Sequence, residues 1–169
     1  MTGAELKALQ APLKEKYKQS PETALVTLHA VGHVNADDLT CRVERREGPA
    51  VAGLHPATGG RGAELCSADM LLEALVACAG VTLKAVATAM EIPLRAGTVR
   101  AEGDLDFRGT LGVDKTVPAG FRAIRLTFDL DTDATQDELD TLLKLTERYC
   151  VVFQTLNTRP ELQATIRRA

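Results

Sequence analysis

The sequence predicts a single α+β domain in which antiparallel strands wrap around one long, largely buried helix. Three observations predict this class. The 169 residues, of which 45% are hydrophobic and 25% charged, suit one ordinary globular core and not two. Strand-like alternation flanks a helical segment at residues 68–91, and the chain lacks the repeated strand–helix–strand units of nucleotide-binding folds. That central segment is rich in alanine and leucine and poor in polar side chains.

The first third of the chain predicts a helix followed by strands. Residues 4–18 place leucines among charged residues, which indicates an amphipathic helix, interrupted or restarted at Pro12. Residues 23–31 are rich in aliphatic and β-branched side chains, and residues 39–43 alternate apolar with polar ones. We expect these two segments to pair as strands, with a third short strand over residues 50–54.

A glycine-rich loop over residues 55–66 leads into the central helix, which we place at residues 68–91. Ser67 is a good N-cap, Asp69 puts a negative charge in the first turn, and Pro93 stops the helix. A helical projection groups seven residues on one face: Cys78, Leu71, Ala74, Leu75, Val81, Thr82 and Ala85. A helix of this composition should be packed on most of its sides.

The remainder of the chain predicts an antiparallel pair, a helix and a last strand. Residues 98–108 alternate apolar and charged side chains without a break, and residues 122–130 repeat the arrangement. A capping-box pattern at 135–138 starts a helix whose apolar stripe ends at Cys150. A short strand is predicted over 162–166.

Composition and charge exclude several classes of function. The formal net charge of −3 is small, and the basic residues are spread along the chain, so we expect no nucleic-acid partner. The longest apolar stretch, residues 74–83, is shorter than the roughly 20 residues that a bilayer requires, so we expect no membrane span. Residues 1–10 lack the apolar core of a secretory signal, which predicts a cytoplasmic location.

The four cysteines are the candidate reactive groups, and in the cytoplasm they would be kept mostly reduced. None is closely paired in sequence, so we predict no metal site and no cofactor. Cys78 and Cys150 each lie on an apolar helix face, where a cysteine is more often a small core residue than a nucleophile. Cys41 has an ordinary inward strand position, and Cys66, just before a helix start, is a candidate spare or resolving thiol.

Two segments, taken together, favour a reactive role for Cys78 and Cys150 over a role as small core residues. Residues 66–83, with the sequence CSADMLLEALVACAGVTL, and residues 148–152, with the sequence RYCVV, resemble the OsmC/Ohr family of osmotically inducible and organic hydroperoxide resistance proteins. The resemblance implies an OsmC-like fold, with antiparallel sheets around a buried central helix in an intertwined homodimer. It implies one such domain over residues 1–169, of which residues 1–20 are an N-terminal helical extension.

The resemblance also implies a two-cysteine peroxidase. Cys78, as a thiolate, would attack an organic hydroperoxide and become a sulfenic acid, and Cys150 would then form a disulfide with it that an external dithiol reduces. In the family an arginine, often held by an acidic residue at the start of the central helix, stabilises the thiolate. We predict Arg61 for the arginine and Asp69 for the acid. The remaining candidates for the arginine are Arg42, Arg45 and Arg46.

Two functions therefore remain open at the level of sequence. The first is a thiol-dependent peroxidase for organic hydroperoxides, because four apolar residues would line its pocket: Leu71, Leu75, Val81 and Val152. The second is a non-catalytic redox-sensing or small-molecule-binding protein of the same fold, since one fold supports many functions. The acidity of the Cys78 thiol would separate them.

Overall fold

The structure, a computed structural model, describes residues 1–168 and has the predicted α+β architecture. Its helices and strands follow one another as α1 (Gly3–Gln19), β1 (Gly32–Val34), β2 (Cys41–Val43), β3 (Ala50–Gly53), β4 (Leu65–Cys66), α2 (Ser67–Ala89), β5 (Ala96–Asp104), α3 (Phe107–Thr110), β6 (Ala123–Asp131), α4 (Gln136–Tyr149) and α5 (Val151–Asn157). Strands β1 to β4 form one sheet in that order, and β5 and β6 form a second sheet.

Helix α2 lies at the centre of the packing, where the sequence predicted it. It begins one residue earlier than expected, with Cys66 as the N-cap, and ends before Pro93. Its buried residues recur every four positions and form one stripe: Leu75, Ala79, Leu83 and Ala87. This stripe packs against β5, α4 and α5.

Within the single chain, α2 is not covered on most of its sides. Val81, for example, is 73% exposed, and Leu71 is also exposed. The sequence pattern indicates how apolar a helix is. The fraction of its surface that is buried depends on how much sheet the chain can pack against it. By length and apolar composition α2 could also cross a membrane, a property that core helices share. The apolar part of this helix is therefore longer than residues 74–83, the stretch from which no membrane span was expected.

The β5–β6 sheet supplies one apolar face to α2 and one charged face to the outside. The strands are antiparallel over nine residue pairs, with Val99 opposite Phe128 and Ala101 opposite Leu126. These four side chains pack on the buried stripe of α2. Outward-facing arginines and acids form ion pairs across the sheet, such as Arg100 with Asp129. The predicted antiparallel pair is confirmed. Strand β5 begins two residues before the expected segment 98–108 and ends four residues before its end, and β6 is shifted by one residue from 122–130.

Two predicted strands do not form among the described residues. The 3₁₀ turn Pro21–Ala24 overlaps the start of residues 23–31, and the rest of that segment forms no strand, although the carbonyl of Val31 accepts the N–H of Glu44. Residues 162–166 have no regular structure. A strand requires a neighbouring edge, and β-propensity alone does not provide one. Both segments leave large apolar side chains in solvent, including Leu28 and Ile166.

The helices also differ from prediction in three details. Helix α3 at Phe107–Thr110 was not predicted, and it begins where the strand over residues 98–108 was expected to end. Helix α1 runs without interruption through Pro12, and a capping box between Thr2 and Glu5 fixes its start. The helical pattern that ended at Cys150 is followed by a further helix, α5, which the sequence analysis did not predict. Cys150 is the C-cap of α4 and the N-cap of α5, so the chain changes direction at this residue.

Candidate active site

Cys150 is held in a fixed place by the junction between α4 and α5. Its backbone N–H donates to the carbonyl of Thr146 at 2.9 Å, and its sulfur accepts the N–H of Phe153 at 3.5 Å. Thr146 is itself buried, and its hydroxyl donates to the carbonyl of Leu142. The side chain of Cys150 is 0% exposed. The thiol is therefore ordered by backbone hydrogen bonds and shielded from solvent.

Cys78 projects from the middle of α2 toward this junction. It packs against the buried cluster formed by Leu75, Ala79 and Cys150, although 72 residues of sequence separate the two cysteines. The two thiols are close enough that each affects the pKa of the other. Both thiols are free. The fold thus brings together the two cysteines that the sequence singled out.

The surroundings shift the pKa values of the two thiols in opposite directions. Burial raises the pKa of Cys78, but hydrogen bonds from the Val152 backbone, the Cys150 thiol, the Val151 backbone and the Thr82 hydroxyl outweigh it, and the net pKa is below the ordinary value. Burial raises the pKa of Cys150, and its hydrogen bond to Cys78 raises it further. When one proton is lost from the pair, Cys78 therefore becomes the thiolate and Cys150 stays a thiol.

Arg61 and Asp69 lie away from this pair within the chain. The guanidinium of Arg61 is 70% exposed and donates to Asp38 at 2.7 Å, with Glu64 at 3.4 Å. Asp69 lies in the first turn of α2 on an exposed face, and the acids that bind Arg61 are not Asp69. The groups that lower the pKa of Cys78 are neutral donors, with no arginine among them.

The other chemistry-bearing residues lie in the N-terminal half. Cys41 is part of β2, and Cys66 ends β4; both are half-buried, and neither belongs to the cluster around Cys78 and Cys150. His55 caps a 3₁₀ turn through its Nδ1 and stacks on Phe107 with ring centroids 4.9 Å apart. Among residues 1–168 no cluster of three or more histidine, cysteine or acidic side chains could hold a metal ion.

The sequence analysis missed the backbone donors of the thiolate. Val152 was expected only as a pocket wall, and Val151 was not considered, yet their N–H groups act on the sulfur of Cys78. No side-chain pattern marks a backbone N–H, so this signal was not available. Thr82 could have been found, because it lies four residues after Cys78 on the same helix face, where its hydroxyl can reach the sulfur.

Fold and site together define a class of protein: a small α+β protein with two cysteines paired between a central helix and a later helix junction. The family model of the OsmC-like proteins matches residues 60–165, and the chain belongs to this family. This match confirms the resemblance found in the sequence. No curated protein matches the chain.

Solved structures confirm the fold. An OsmC-like protein from Mycoplasma pneumoniae is 17% identical, with a TM-score of 0.65 over 79% of this chain and 89% of that one. An organic hydroperoxide resistance protein, OsmC, from Legionella pneumophila is 20% identical, with a TM-score of 0.62 over 79% and 91%. An organic hydroperoxide resistance protein from Elizabethkingia anophelis is 15% identical, with a TM-score of 0.62 over 80% and 91%.

Proposed function

We propose that the protein is a thiol-dependent peroxidase that reduces organic hydroperoxides to alcohols. The observation that carries this proposal is the packing of Cys78 against the buried Cys150, together with the lowered pKa of Cys78 and the raised pKa of Cys150. A peroxidase of this type needs one sulfur as a thiolate and a second, protonated sulfur within reach. The names of the structural neighbours from Legionella and Elizabethkingia agree with this activity.

The reaction has two chemical steps. The Cys78 thiolate attacks the terminal oxygen of the hydroperoxide, the O–O bond breaks, and the alkoxide leaves and takes up a proton to become the alcohol. The sulfur of Cys150 then attacks the sulfenic acid on Cys78, which forms a disulfide and releases water. An external dithiol returns two electrons and restores both thiols. In sum, one hydroperoxide and one dithiol yield one alcohol, one water and one disulfide.

We also propose that the active form is a homodimer in the cytoplasm. The uncovered face of α2 and the unpaired residues 23–31 and 162–166 leave apolar surface that a second chain could cover. In such a dimer Arg61 of one protomer, oriented by Asp69, would be brought close to the Cys78 of the other. A cation there would add to the neutral donors that lower the pKa of Cys78.

A pair of cysteine variants tests the peroxidase directly. Purified Cys78→Ser should lose the consumption of cumene hydroperoxide, because serine is not ionised at neutral pH. Cys66→Ser, which changes a half-buried thiol at the start of the same helix, should keep it. Peptide mapping after one equivalent of peroxide should show a disulfide between Cys78 and Cys150. Equal activity in wild type and Cys78→Ser would reject the mechanism.

The alternative function, a redox sensor without turnover, predicts a different kinetic pattern. A sensor would form the Cys78–Cys150 disulfide once and would not be reduced rapidly by any small dithiol. Single-turnover oxidation without catalytic consumption in the presence of excess dihydrolipoate or dithiothreitol would favour the sensor. Repeated turnover with either dithiol would favour the enzyme.

A further inference from the structure

A cleft of about 500 Å³ lies between the first half of α2, helix α5 and the chain that enters β6. Its volume is in the range of small-molecule sites. Most of its wall is apolar and consists of Leu71, Leu75, Phe121, Ile124, Phe153 and Leu156. A smaller cavity that Cys150 lines shares Ile124, Leu126 and Phe153 with this cleft. The cleft therefore adjoins the cavity at Cys150, and Leu71 and Leu75, which were expected to line the hydroperoxide pocket, form part of its wall.

The position of Phe121 in the wall of the cleft depends on Gly103. A Cβ atom placed on Gly103 would lie 2.4 Å from Cε1 of Phe121, closer than two carbon atoms can approach. The aromatic ring therefore lies directly on the backbone of β5, and no larger residue at position 103 would permit this. Phe121 is fixed as a flat side of the cleft.

The cleft carries one cation, and that cation is only partly neutralised. The guanidinium of Arg122 is 59% exposed, and its one carboxylate within 4 Å among residues 1–168 is Asp106, at 3.7 Å. Asp106 already accepts two hydrogen bonds from the side chain of Arg108. The backbone of Arg122 is held by a hydrogen bond from its N–H to the carbonyl of Asp104. Arg122 thus stays at the cleft with donors to spare.

We propose that this cleft binds a small apolar carboxylate. The hydrocarbon part lies against Leu71, Leu75 and Leu156, and the carboxylate accepts paired hydrogen bonds from Arg122, whose planar fork matches two oxygens. A wholly apolar ligand would offer no acceptor to the guanidinium of Arg122, which would keep only its ion pair with the shared Asp106. A multiply charged anion would find too little opposing charge, because Arg125 is engaged by Asp104.

Binding of decanoate and of decan-1-ol to the reduced full-length protein, measured by calorimetry below micellar concentration, tests this proposal. Decanoate should bind about fivefold more tightly than the alcohol, as an exposed charge-assisted pair provides. Shortening the acid to octanoate should weaken binding by roughly fourfold for each methylene removed. Neither ligand contains a peroxide bond, so the result is independent of the proposed peroxidase.

Two arginine variants assign the carboxylate contact. Arg122→Gln should remove the preference for decanoate over decan-1-ol while leaving the affinity for the alcohol unchanged. Arg100→Gln removes the same charge from a residue that pairs with Asp129 and does not line the cleft, and it should keep the preference. Equal binding of acid and alcohol to the wild type, or an unchanged preference in Arg122→Gln, would overturn the proposal.

A third variant tests whether the ligand occupies the cleft. Gly120 lines it, and an added Cβ would meet no atom within 4 Å, so Gly120→Leu adds an apolar side chain at the wall of the cleft. This variant should lower the affinity for decanoate about tenfold or more and leave the oligomeric state, measured by light scattering, unchanged. A variant that instead dissociates an oligomer and retains decanoate binding would identify a second copy of the chain as the occupant and overturn the proposal.

Discussion

Serine and alanine at position 150 separate two roles of Cys150: donating a hydrogen bond to the Cys78 thiolate and forming a disulfide with it. Cys150→Ala removes the donor, whereas Cys150→Ser keeps a donor and removes only the sulfur. A hydrogen bond to a charged group contributes about 1.5 kcal/mol at the lower end of its range, which is about tenfold in the thiol–thiolate equilibrium of Cys78. The backbone donors of Val151 and Val152 remain in both variants.

The assay is the rate at which iodoacetamide alkylates Cys78, followed by peptide mass spectrometry as a function of pH. Below the midpoint of the titration, Cys150→Ala should react about tenfold more slowly than wild type, and its midpoint should move to higher pH. Cys150→Ser should keep the wild-type profile yet form no disulfide with peroxide. If alanine and serine at position 150 give the same profile as wild type, the Cys150 thiol does not stabilise the thiolate.

Three further predictions concern stability. Leu142→Ala, at a position 1% exposed, should lower the free energy of unfolding by about 2–5 kcal/mol in urea titrations, whereas Leu143→Ala, at 43%, should cost under about 1 kcal/mol, and equal costs would contradict the assigned core. Gly103→Ala should cost about 1–3 kcal/mol because it displaces Phe121, and the double variant with Phe121→Leu should recover most of the loss. Hydrogen bonds and an ion pair with Arg108 lower the pKa of Asp106 to about 2. The contribution of ionised Asp106 to the free energy of unfolding is therefore complete above the ordinary carboxylate pKa and is lost as the pH falls toward 2. Asp106→Asn should flatten the pH dependence of the free energy of unfolding in this range, and an unchanged pH profile would contradict this.

The sequence predicted the elements whose signals are local. The central helix was placed to within two residues at each end, because its start, apolar run and terminal proline are all written within one segment. The β5–β6 pair was predicted because its alternation continues over nine residues in each strand, although β5 ends four residues before the predicted strand does. Cys78 and Cys150 were chosen through their neighbours on those elements and through a family resemblance.

The sequence could not predict features that depend on distant partners. Residues 23–31 and 162–166 have strand composition, but no edge of either sheet in the chain is paired with them. The helix after Cys150 was missed because a cysteine rarely marks a cap, although its sulfur accepts the N–H of Phe153. Backbone N–H groups around Cys78 have no sequence signature at all.

The remaining question about the thiolate is whether a cation adds to these neutral donors, and dimerisation offers a way to answer it. If Arg61 acts across a dimer, alkylation of Cys78 at fixed pH should slow on dilution below the dissociation constant, and Arg61→Gln should be slow at every concentration. Arg100→Gln, which removes the same charge from a residue paired with Asp129, is the control and should behave as wild type. If backbone and hydroxyl donors within one chain suffice, the rate should not change with concentration or in Arg61→Gln. That second result would mean that the pairing of Arg61 with Asp38 is its structural role, and that hydrogen bonds alone keep Cys78 ionised.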